Sequence, residues 1–322
     1  MNSIGIDIGG TKISSSVFDR EGFSENRLII SISGKTSEGV FEIVEEILTK
    51  QIEFVKNKEK QISGIGICIP GIYWSDRKTV WAPNIHGWDD YPLYDKVKGI
   101  KSVDQIPVHI DSDRACYILG EVWKGAATGA KNAIYMAVGT GIGLGILVNG
   151  EILRGANDIA GATGWLALER PYDKKYVSCG CFEYSASGAG LGRKAADLLK
   201  AEKFYTGYFK EINPDEISGK DVFHAYDNKD PIAIKVIENA IELWGMAVAN
   251  YVSLFNPEII ILGGGVFGPA VKFIPEIFAE AKKWAQPWSI NLVRLSESKL
   301  GSDAGLYGAG FIALRKYNNT QK

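Results

Sequence analysis

Three glycine clusters, each directly after an apolar run rich in β-branched residues, are the places where this sequence could do chemistry. They are Gly9 and Gly10 with Thr11 and Lys12, Gly139, Thr140 and Gly141 with Gly143, and Gly263, Gly264 and Gly265. A phosphate needs several backbone N–H groups converging on it; glycine permits that approach and a threonine hydroxyl adds a donor. Two such loops can grip one polyphosphate from opposite sides. A hairpin also takes glycine for its positive φ alone, so one turn decides nothing, and it is three together, each at a strand end, that point to a ligand. Two carboxylates belong with them. Asp7 directly precedes the first turn, and Asp113 follows a short strand and opens a helix. Their plain readings are a turn-capping Asp and a helix N-cap, and Lys12 reads equally as an exposed hairpin lysine or as a cation in a site.

The elements that must position these groups are legible from periodicity. Ser3 to Asp19 alternates Ile4, Ile6 and Ile8 with small or polar residues, turns at Gly9 and Gly10 and returns through Ile13 to Phe18, a hairpin. Residues 36–56 carry apolar side chains near the 3.6 period of an amphipathic helix. A buried strand, 65–69, halts at Pro70 and Gly71, a strand is expected over 108–111, and 113–124 reads as a helix. At Ala133 the opening pattern returns: Ile134 to Val138, a Gly/Thr turn, then Leu144 to Val148. Residues 231–255 form a strongly buried helix pattern, followed by a β-branched strand over 258–262. The strand–turn–strand unit thus occurs once in each half of the chain.

At 322 residues the chain exceeds the size at which one hydrophobic core keeps growing, so two domains with an interdomain cleft are expected. The net charge of -2 and the absence of a basic helix with interleaved aromatics argue against a nucleic-acid partner. The opening residues lack the regions of a signal peptide, and no apolar run reaches the 18 or so residues of a membrane span. A cytoplasmic protein with reduced thiols and no membrane partner is the expectation, its four cysteines being too few for a disulfide framework.

A full P-loop GxxxxGKS/T is absent. DIGGTK at 7–12, GTGIGLG at 139–145 and LGGGV at 262–266 resemble the two phosphate loops and the adenosine-side loop of the ROK family. PNIHGW at 83–88, DSDRACYILGE at 111–121, ASGAGL at 186–191 and LGSDAGLYGA at 300–309 continue the resemblance along nearly the whole chain in the family's order. It implies an α/β fold, actin-like and ribonuclease H-like by duplication. A small N-terminal domain would cover 1–115 and be joined by a C-terminal helix over 303–317, and a large one would cover 116–302. It implies ATP-dependent phosphorylation of a sugar hydroxyl, on a hexose, an amino sugar or a related polyol, and a homodimer. ATP would lie against Gly9, Gly10, Thr11, Lys12, Gly139, Thr140, Gly141, Gly264 and Gly265. Asp7 would hold Mg²⁺, through water; Asp113 would be the base; Asn84, Asp113, Glu183, Gly71 and Trp165 would contact the sugar.

The pattern breaks in the sugar pocket. Where the family carries GExGH, this chain reads GATGW, with Ala162 at the Glu position and Trp165 at the His position. A methyl and an indole replace two hydrogen-bonding groups, and an indole can stack on an apolar sugar face. Ser112 and Ala115 stand where the family has Asn. The zinc motif CxCGxxGCxE is shortened to CGCFE at 179–183, so no structural zinc is expected. These departures leave open a second reading, a weakly active or inactive sugar-binding or regulatory relative.

Overall fold

A computed structural model describes residues 1–320, with side chains described up to Arg315. The chain divides into two compact units: Met1–Gly129 with Ile152–Ala160 and the chain from Lys299 onward, and Ala130–Glu151 with Gly161–Ser298.

The first unit is built on a five-stranded sheet. β1 (Asn2–Ile8), β2 (Lys12–Phe18) and β3 (Ser24–Ser31) form an antiparallel meander, and β4 (Ile62–Ile69) and β7 (Val108–Ser112) add in parallel, giving the order β3-β2-β1-β4-β7. A two-stranded ribbon, β5 (Ile72–Trp74) and β6 (Thr79–Trp81), and helix α2 (Leu93–Gly99) follow β4. Ile4, Ile6 and Ile8 of β1 join Val40, Val44 and Ile47 of α1 (Ser37–Asn57) in one apolar core. The opposite face receives α9 (Ala304–Thr320), which packs on β1, β4 and α3 (Asp113–Lys124). The boundary expected at 115 falls inside α3. That helix is continuous and lies along α9, so the first unit extends to Gly129.

The second unit repeats the plan, with the order β10-β9-β8-β11-β12. β8 (Ala133–Val138) and β9 (Ile142–Val148) form the hairpin, β10 (Glu151–Ile152) edges it, and β11 (Ile259–Gly263) and β12 (Arg294–Glu297) lie parallel to β8. Its core is organised by α7 (Pro231–Phe255), whose start is capped by Asp230, accepting from Ile232 N–H at 2.9 Å and Ala233 N–H at 3.1 Å, with Pro231 at the first helical position. α4 (Cys181–Ala186), α5 (Gly188–Ala201), α6 (Gly219–Asp227) and α8 (Ile274–Trp284) complete the unit. Two copies of a sheet made of an antiparallel meander and two parallel strands are the actin-like, ribonuclease H-like fold. Among the described residues no helix is long and apolar enough to cross a membrane.

The sequence reading assigns neither the third strand nor most helices of the second unit. β3 lies at the sheet edge with no fully buried residue, its apolar Leu28, Ile29 and Ile30 being half-buried or exposed.

One buried charge fixes the path into α9. Glu121, on α3 and fully buried, accepts from Ala126 N–H at 2.6 Å with Oε2 and from Leu300 N–H at 3.0 Å with Oε1. Those N–H groups lie outside any helix or strand, and an unpaired buried donor costs about 1–3 kcal/mol. Glu121→Ala is expected to lower unfolding stability by about 3 kcal/mol or more, read as a shift of the urea midpoint. Glu121→Gln, which keeps an acceptor oxygen, is expected to lose less.

Candidate functional site

The first unit gathers its polar groups at the ends of its parallel strands. Register places Asp7 of β1 beside Cys68 of β4, and Cys68 beside Asp111 of β7. Side chains alternate along β1, so Asp7 lies on the α9 face together with Gly5. α9 comes so close there that a methyl group at Gly305 would sit 2.9 Å from Asp7 Oδ2. Asp7 is largely shielded from water, and burial raises it to about 6; the negative charge of Asp113 acts in the same direction, while hydrogen bonding to Cys68 and the charge of Lys12 oppose.

Asp113 is the first residue of α3, and Ser112 caps that helix by accepting from Ala115 N–H at 3.3 Å. The capping task falls to Ser112, which leaves the Asp113 carboxylate free for another use. Its Oδ1 accepts from Arg114 N–H at 2.8 Å. Burial raises Asp113 to about 6 as well, against the charge of Arg114 and a hydrogen bond to Tyr117. Asp111, the third carboxylate of this group, is raised by burial too, but Arg154 forms a close ion pair with it that opposes the shift. Arg154 lies in the 152–160 segment, whose other anchor is Asp158, accepting from Ser75 N–H at 3.0 Å and Ser75 Oγ at 2.8 Å. Neither Arg154 nor Asp158 was singled out from sequence. Lone charged residues in a loop carry no periodic signal.

The first glycine turn closes with Gly9 N–H donating to Lys12 O at 2.9 Å, and Gly10, Thr11 and Lys12 are exposed. Asn84, also exposed, lies against it, 3.3 Å from where a Gly10 Cβ would be. Gly71 follows β4 and abuts the Trp81 carbonyl, a close approach at the base of the β5–β6 ribbon.

In the second unit the turn Gly139–Gly141 is tied at both ends. Gly139 N–H donates to Gly141 O at 2.9 Å, Gly139 O accepts from Gly188 N–H at 2.7 Å, and Ile142 N–H donates to Glu183 Oε2 at 2.7 Å. Thr140 is exposed at the tip. Glu183 therefore buttresses the glycine turn with one carboxylate oxygen. Burial raises it, opposed by the Ile142 bond and the charge of Arg193. Gly264, with φ of 88°, packs on the Val138 backbone, and Gly265 follows it, so the third glycine turn adjoins the second. Trp165 ends the short turn Thr163–Trp165 and is 58% exposed, while Thr163 is buried against the Tyr251 hydroxyl. Gly188, at the start of α5, belongs to this group although sequence reading did not select it; ASGAGL was its signal. Among the described residues no three His, Cys, Asp or Glu side chains gather where they could hold a metal ion.

The carboxylates carry a cost that can be measured. Both Asp7 and Asp113 sit at about 6 in the folded chain against an ordinary 3.8. Between these values the unfolded chain releases protons that the folded chain keeps, so stability present at low pH is lost as pH rises through 6. Asp113→Asn is expected to raise the melting temperature at pH 8, the gain shrinking as pH approaches 4. Calorimetry across that range checks it; a gain that is absent at pH 8 contradicts the burial of this charge.

Comparison with known proteins is consistent with this geometry. The ROK family profile matches residues 3–316. A glucokinase of Halalkalibacterium halodurans is 31% identical over 324 residues, covering 99% of this chain and 97% of that protein. A putative xylose repressor of a Caldicellulosiruptor species is 30% identical over 311 residues, covering 95% of this chain and 76% of the repressor. Among solved structures, a ROK family glucokinase from Streptomyces griseus in complex with glucose and AMPPNP has a TM-score of 0.74 and 28% identity, covering 98% of this chain and 100% of that one.

Proposed function

Since the chain belongs to the ROK family, we propose that it transfers the γ-phosphoryl group of ATP to a hydroxyl of a hexose, an amino sugar or a related polyol. The observation that carries this reading is Asp113: a carboxylate relieved of helix capping by Ser112 and raised to about 6, in the range suited to a general base near neutral pH. The kinship with a glucokinase and with a glucose- and AMPPNP-bound glucokinase supports the same class of reaction.

Phosphoryl transfer needs charge neutralisation and alignment more than covalent work by the protein. The N–H groups of Gly9 to Lys12 and the Thr11 hydroxyl are assigned to phosphate oxygens, as are Gly139, Thr140 and Gly141 of the second unit. Gly264 and Gly265 are assigned to the adenosine side. Asn84 and Glu183 would orient sugar hydroxyls, Glu183 through the oxygen not engaged by Ile142, with Gly71 and Trp165 as further contacts. Asp113 would accept the proton of the attacking hydroxyl.

Asp7 fits Mg²⁺: it is a hard oxygen donor, without a side-chain ion pair among the described residues, next to a second carboxylate whose charge disfavours its ionisation. When bound, the ion supplies positive charge to the phosphate oxygens. Asp7 would hold it, directly or through water.

A second reading, a sugar-sensing protein with weak or no turnover, is favoured by Ala162 and Trp165 and by the likeness to a xylose repressor. The two separate on ADP release from ATP and Mg²⁺ across hexoses, hexosamines, N-acetylated sugars and polyols. One class is expected to turn over, with kcat/KM rising with pH to a plateau above about 6 as Asp113 loses its proton. Asp113→Asn is expected to lower kcat by roughly 10²–10⁴-fold. Silence across the panel, with sugar binding seen by calorimetry in the absence of ATP, supports the sensing reading instead.

A further inference from the structure

Cys179, Gly180 and Cys181 lie in the second unit, and neither the fold nor the proposed transfer uses their thiols. Cys179 is partly exposed and Cys181 is 7% exposed, as the first residue of α4. Arg193 on α5 brings Nη2 to 3.8 Å from Cys179 Sγ, and the Ser178 hydroxyl lies 3.7 Å from the same sulfur. The guanidinium is not consumed elsewhere. Among the described residues Arg193 makes no ion pair with a carboxylate, its remaining contacts are two carbonyls at 3.5 Å and the Tyr184 ring, and its Nε is buried without a partner. A positive charge with donors to spare therefore stands against a partly exposed sulfur, the setting in which a thiolate acts as nucleophile.

A second thiol is within reach. Cα atoms two residues apart are separated by at most about 7 Å, close to the upper end of the 4.4–6.8 Å that a disulfide spans, so a modest bend suffices. Gly180 between them, with φ of 87° and ψ of 160°, holds a conformation that a residue with a Cβ rarely adopts and that a glycine can leave at little cost. No third ligand joins the pair to make a metal cluster among the described residues.

We propose that Cys179 and Cys181 are a redox-active dithiol, oxidised by hydroperoxides to an intramolecular disulfide, with Arg193 supporting attack by Cys179. The Cys179 thiolate attacks one oxygen of hydrogen peroxide, the O–O bond breaks, and the leaving hydroxide takes a proton to become water. Cys179 is left as a sulfenic acid. The Cys181 sulfur then displaces the sulfenic hydroxyl, which departs as a second water with the Cys181 proton. Two thiols lose two electrons and one peroxide gains them.

The test uses the full chain, treated with hydrogen peroxide, blocked with iodoacetamide after unfolding, digested and weighed. The 179–181 peptide is expected to be unlabelled and lighter by two hydrogens, and dithiothreitol is expected to restore labelling. Cys68 and Cys116, both fully buried, serve as internal controls and are expected to label throughout. Cys181→Ser is expected to send Cys179 on to the sulfinic acid, and Arg193→Gln to slow disulfide formation several-fold while Arg193→Lys keeps most of the rate. Full labelling of Cys179 and Cys181 after peroxide, a sulfinic acid at Cys179 in the unaltered chain, or a Cys179 disulfide between two chains would each overturn the proposal. An unchanged rate in Arg193→Gln would remove Arg193 from it. None of these readouts depends on sugar phosphorylation.

Discussion

The first unit depends on how closely α9 lies on β1, β4 and α3. A Cβ at Gly308 would overlap the Cys116 carbonyl, and one at Gly66 would overlap the Ala309 carbonyl. Protein interiors are too dense to absorb such an insertion without moving backbone. The same approach brings the start of α9 against Asp7, so the packing that holds the helix also sets where the carboxylate stands. Glu121 completes the arrangement by taking up N–H groups on the path into the helix, including that of Leu300. Packing and polar satisfaction thus act on one seam, and the candidate site sits at its end.

That seam gathers more negative charge than the fold would choose for stability alone. Asp7, Asp111 and Asp113 lie near the ends of adjacent parallel strands, and one guanidinium, Arg154, neutralises one of them. All three are driven upward, chiefly by burial; the Arg154 charge opposes this at Asp111 without cancelling it, and the charge of Asp113 adds to it at Asp7. Burial of unpaired carboxylates opposes folding, and sites that do chemistry are where such costs are retained. In the second unit the logic is local rather than electrostatic. Glu183 spends one oxygen on the backbone of the glycine turn, so the loop conformation and the orientation of the carboxylate are set together.

Much of this was legible in the residues. The 3.6 periodicity of α7 and its start at Pro231 follow from a helix buried along most of its length, which leaves an uninterrupted apolar signal. The duplication was visible because the strand–glycine turn–strand unit is local and recurs. What escaped were elements whose burial is partial, such as β3, and contacts whose partners are far apart in sequence, such as Arg154 with Asp111 and Asp158 with Ser75. The domain boundary at 115 was misplaced for a related reason: α3 belongs with α9, nearly two hundred residues later, and no local pattern reports that.

By itself the sequence determined the strand–turn–strand repeats, the glycine loops and the two carboxylates beside them, because each is a short-range pattern of volume, polarity and backbone freedom. Only the tertiary structure decided what those groups experience. Ser112 rather than Asp113 caps α3, Glu183 grips the Ile142 N–H, Arg154 pairs with Asp111 while Asp7 and Asp113 have no ion pair among the described residues, and Arg193 stands against Cys179. Each of these depends on distance through space, and the energy of a charge or a hydrogen bond is set by its neighbours and its burial, not by its place in the chain.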